Sequence, residues 1–68
     1  MRDRTYELVF YGRNGQVDSK QDYTDRETAL EALRLFDEPD NAELYSRIVL
    51  REYDWQTGTE TELKALAF

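Results

Sequence analysis

Residues 44–55, LYSRIVLREYDW, form the longest run of β-branched, aromatic and aliphatic residues in the chain and read as a strand. With period two, Leu44, Ser46, Ile48 and Leu50 point one way, and Tyr45, Arg47, Val49, Arg51, Tyr53 and Trp55 point the other. Both faces carry apolar bulk, which is the pattern of a central strand. One face can take a helix. The other mixes aromatic rings with arginines on an otherwise acidic chain, and it is the face on which to look for function.

A second such run, Thr5 to Tyr11 (TYELVFY), sets Tyr6, Leu8 and Phe10 opposite Glu7, Val9 and Tyr11. Met1 to Arg4 before it read as a frayed polar start. Asn14-Gly15 predicts a hairpin turn, because both residues tolerate positive φ. Gln16 to Tyr23 then alternates weakly, Val17, Ser19, Gln21 and Tyr23 against Asp18, Lys20 and Asp22, and its polarity suits an edge strand.

Thr24-Asp25-Arg26-Glu27 fits a capping box with Thr24 at the cap. The helix it opens carries an apolar stripe of Ala29, Leu30, Leu33 and Phe36 and should stop near residue 37, ahead of Pro39. Pro39-Asp40-Asn41 reads as a connecting turn and Gln56-Thr57-Gly58-Thr59 as another. Residues 59–68, TETELKALAF, fit either a strand or a helix from Thr61. The strand is preferred, since residues 53–58 look like half of a hairpin. It would place Glu60, Glu62, Lys64, Leu66 and Phe68 opposite Thr61, Leu63, Ala65 and Ala67.

The expected fold is therefore α+β: a ββαββ chain, residues 1–68 as one small domain, with a four-stranded antiparallel sheet of order 2-1-3-4 and one helix on one face. At 68 residues the chain buries only about 60% of its unfolded surface, too little for a deep substrate cavity. With no Cys and no His, disulfides, thiolate metal sites and the commonest general base are excluded. Ser19 and Ser46 lack a nucleophile setting, and Ser46 is expected to face the helix as a small packing residue. No catalytic residue, cofactor or metal is expected, and Asp37, Glu38, Asp40 and Glu43 read as a solvated acidic turn lacking the spacing of a calcium loop. No apolar leader or membrane-length run is seen, so a cytoplasmic protein without membrane contact is expected.

Fifteen acidic against nine basic residues give a net charge of −6, which disfavours direct nucleic-acid binding. What remains is protein binding. Tyr11, Tyr45, Tyr53 and Trp55 would be anchors on the uncovered sheet face, Arg47 and Arg51 orienting charges and Val49 apolar contact, with a homodimer as the plainest form. Against it stands an acidic mimic of nucleic acid that blocks a basic cleft through Asp18, Asp22, Asp37, Glu38 and Asp40, a strategy known among small phage inhibitors of restriction and CRISPR systems.

Overall fold

The run around Ile48 becomes a strand of ten residues, and the other elements are arranged on it. The structure, a computed structural model, describes residues 3–68; Met1 and Arg2, half of the expected frayed start, lie outside the described residues, and Arg4 already pairs in a strand. In chain order the elements are β1 (Arg4–Gly12), β2 (Val17–Tyr23), α1 (Arg26–Leu35), a 3-10 helix (Pro39–Glu43), β3 (Tyr45–Asp54) and β4 (Thr59–Ala67). Every neighbouring pair is antiparallel and the sheet order is β2-β1-β3-β4, the predicted ββαββ arrangement. Residues 59–67 take the strand option. Gly15 (φ 82°) and Gly58 (φ 70°) supply the left-handed positions of the two hairpin turns.

α1 begins one residue later than the capping-box reading. Asp25, not Thr24, is the cap, and its carboxylate accepts from both the backbone N–H and the hydroxyl of Thr28, each at 2.9 Å. A carboxylate also meets the positive end of the helix dipole favourably, which a hydroxyl does not. At the other end the Asn41 side-chain amide donates to the Phe36 carbonyl (2.7 Å) and ties the 3-10 helix to α1.

The helix lays its apolar stripe on one sheet face. Leu8, Phe10, Ile48 and Leu50 from β1 and β3 are buried with Ala29 and Leu33 from α1, and Tyr6, Leu30 and Phe36 close the sides. Phe36 meets Phe10 edge-on with ring centroids 4.9 Å apart. This is the predicted core.

Three β-bulges shift what period two assigns. Each inserts one residue opposite none: Asp18 in β2, Ser46 in β3 and Leu63 in β4. Ser46 is part-buried, and its hydroxyl donates to the Gly12 carbonyl (2.9 Å) at the bulge. Before the bulge, parity is inverted. Tyr45 pairs with Gly12 and turns to the helix side, its ring 5.3 Å from that of Phe10, while Leu44 falls outside the strand and is exposed. The Leu63 bulge lets both Leu63 and Leu66 pack on the core, and leaves Glu60 and Glu62 on the same face as Ala65 and Ala67. Among the described residues no helix is long and apolar enough to cross a membrane.

Candidate functional site

The face of the sheet away from α1 is built from cross-strand rows, since residues directly opposite share a face. Val17, Tyr11, Arg47 and Ala67 form one row, and Lys20, Val9, Val49 and Ala65 the next. Then come Asp22, Glu7, Arg51 and Glu62, and beyond them Thr5, Tyr53 and Glu60.

Val9 and Val49 in the second row have no exposed surface at all, although no element covers them. An uncovered sheet face would leave them in or near water, and three neighbouring side chains prevent it. Tyr11 stands one row away from them on one side and Arg51 one row away on the other. Arg51 Nη2 donates to the Tyr11 hydroxyl at 2.6 Å, so the phenol ring must run along the strands above the two valines. Arg47 lies over that ring, its guanidinium carbon 4.4 Å from the centroid. Long amphipathic side chains thus roof the valines as a second layer would. A partner reaches Val49 only by displacing Tyr11.

At the other end of the face the side chains stand apart. Trp55, 62% exposed, donates its indole N–H to the Thr5 hydroxyl (3.1 Å), and its ring meets Tyr53 edge-on at 4.6 Å. These two rings form a wall of a cleft of about 420 Å³, whose rim carries Glu7, Asp22 and Glu60 with Arg51 between them. Arg51 Nη1 is 3.7 Å from Glu60 Oε2, so one guanidinium serves both the Tyr11 roof and the acidic rim.

Of the residues expected on this face, Tyr11, Arg47, Arg51, Tyr53 and Trp55 are on it, and Val49 is on it but buried beneath Tyr11. Tyr45 is not: the Ser46 bulge sends it to the core. Thr5, Glu60 and Glu62 are additional members. Their signal was available, because a hairpin turning at Gly58 sets Tyr53 opposite Glu60, and Thr5 shares the parity of Glu7. The five carboxylates of the mimic reading do not share a face. Asp22 is on the open side of the sheet, whereas Asp37, Glu38 and Asp40 follow α1 in the helix layer. Among the described residues no group of three or more Asp or Glu side chains is placed so that it could hold a metal ion. No family model matches the chain, and neither does any curated protein or solved structure.

Proposed function

We propose that the protein is a non-catalytic binding module that holds another protein chain against the open face of its sheet, with Tyr53 and Trp55 as anchors. Trp55 carries this reading. Its indole is the largest apolar group left in solvent, yet it is fixed by Thr5 on one side and Tyr53 on the other. An aromatic side chain already held in place loses little conformational freedom on binding and gains the burial of a large apolar area. Exposed Trp, Tyr and Arg together are the composition of binding hot spots. Arg51, held by Tyr11 and Glu60, is a ready-made orienting charge.

The test is capture of partners from an extract of the native cell by immobilised wild type, Trp55→Ala, and a variant neutralised away from the face (Glu38→Gln with Asp40→Asn). A partner retained by wild type and the neutralised variant but lost with Trp55→Ala supports the reading. The opposite pattern, in which Trp55→Ala still captures and neutralisation or moderate salt releases the partner, overturns it and favours the acidic mimic.

A further inference from the structure

We infer that the occupant of the open face is a second copy of this chain, packed face to face with its strands reversed, so that Arg47 of each copy enters the Tyr53–Trp55 cleft of the other. The inference rests on the binding role proposed above and names the partner.

Charge distribution along the face is the first observation. Asp22, Glu7, Glu62 and Glu60 are gathered in the last two rows with Arg51 as the cation among them, whereas the first two rows hold Lys20 and Arg47 and no carboxylate. A basic partner would suit the acidic half and be repelled by the other. An acidic partner would do the reverse. A surface of the same polarity laid on in the opposite direction matches both halves, and a two-fold axis lying in the face and across the strands supplies it. Closed two-fold dimers are the commonest oligomers, and they repeat each contact.

Register is the second. A rotation of this kind lays β3 over β3 and β2 over β2, with the axis passing between the rows of Val49 and Arg51. Arg47 then falls opposite Tyr53 and beside Glu60 of the other copy, and Lys20 falls opposite Asp22. Within one copy the pairing is out of reach, because Arg47 and Tyr53 are about 20 Å apart along the strand.

Relief is the third. Along β4 the end that carries Glu60 and Glu62 is tall and the other end is low, since β4 contributes only Ala65 and Ala67 there. Reversal sets tall against low, with Glu60 and Glu62 of one copy over the alanines of the other. Arg47 already lies outermost in the roof, over the Tyr11 ring and exposed, so it is the first group an arriving face meets.

Charge reversal in opposite senses on two variants tests the geometry. Arg47→Glu alone and Glu60→Arg alone should each dimerise at least about a hundredfold more weakly than the wild type, because the two-fold axis doubles every clash. An equimolar mixture should recover a particle of twice the 8.1 kDa chain mass, since both contacts of the mixed pair are then opposite in charge. The readout is sedimentation equilibrium over about 10 µM to about 1 mM chain, with near-ultraviolet circular dichroism confirming that each variant is folded. Lys20→Glu and Asp22→Lys make a second, independent pair with the same expectation. A wild type that stays monomeric throughout, single variants that dimerise as well as the wild type, or a mixture that stays monomeric would each overturn the inference. A monomeric wild type whose partner capture still depends on Trp55 removes the second copy and leaves the binding role standing; loss of that dependence removes the binding role itself.

Discussion

On the helix side of the sheet, Leu8, Phe10, Ile48 and Leu50 are sealed by α1, whereas on the other side Val9 and Val49 are sealed by side chains of the sheet itself. The two solutions exclude water equally from the central residues of β1 and β3. They differ in what they put at the surface. The helix covers with side chains held by its own backbone ladder and turns mainly its polar side, with Leu35, to the solvent. The Tyr11–Arg51–Arg47 roof concentrates the cover in three side chains that are themselves partly exposed, and so makes a sealed face and a chemically rich one from the same atoms. A small chain with one α-helix among its described residues gains a two-sided core in this way and leaves Trp55 and Arg47 exposed on the uncovered side.

The contrast can be broken most forcefully from the helix side. Leu50→Ala or Leu8→Ala opens a cavity between sheet and helix that neither layer can collapse into, at a cost of about 2–5 kcal/mol. A domain this small holds roughly 5–15 kcal/mol at best. Urea unfolding followed by far-ultraviolet circular dichroism should therefore show a midpoint lowered to a fraction of the wild-type value, or no folded baseline. The open side should be less sensitive. Tyr11→Ala removes a ring but leaves Arg47, Arg51 and water to close over the valines, and about 1–3 kcal/mol is expected from the lost apolar cover. Methyl groups of Val9 and Val49 should then become accessible to a soluble relaxation agent in NMR. A loss matching that of Leu50→Ala would mean that the two faces are not different in kind. Tyr11→Phe sharpens the point by keeping the ring and deleting only the bond from Arg51, worth about 0.5–1.5 kcal/mol, and should leave the valines covered.

The helix cap offers a smaller effect. Asp25→Ala should cost about 1 kcal/mol in the same urea experiment, and Thr24→Ala less, if the carboxylate rather than the Thr24 hydroxyl holds the first turn.

The architecture was legible in the sequence because its signals are local and repeated. Two runs apolar on both sides had to be central, Asn14-Gly15 had to turn, and the stripe from Ala29 to Phe36 had to lie on one of the faces. Much of the candidate face followed from the same alternation. What alternation cannot carry is a bulge, because one unpaired residue inverts every assignment on one side of it and leaves no composition mark. Tyr45 was misplaced for that reason, and Leu63 and Leu66 were assigned to opposite faces when both pack on the core. The burial of Val9 and Val49 was hidden differently. It depends on Tyr11 reaching across a row to Arg51, a diagonal contact set by the rotamers and twist of the sheet and by no feature of spacing.

The Ser46 bulge can be tested for what holds it. Its hydroxyl donates to the Gly12 carbonyl, so Ser46→Ala removes a hydrogen bond between the paired ends of β1 and β3. That carbonyl also accepts from the Gly15 N–H at 2.9 Å, and the truncation therefore leaves no orphaned acceptor. Without a desolvation penalty the loss should be at the bottom of the usual range, about 0.5 kcal/mol. Regular pairing resumes on the near side at Tyr11 with Arg47, and the Gly12–Tyr45 pair and the Phe10–Tyr45 ring contact hold the far side. Contacts between the Tyr45 and Phe10 rings in NMR should persist in the variant. A loss above about 2 kcal/mol, outside the range for one neutral hydrogen bond, together with disappearance of those contacts, would show that the hydroxyl rather than the ladder decides which face Tyr45 joins. The difference between the two faces of β3 would then hang on a single side chain at its start.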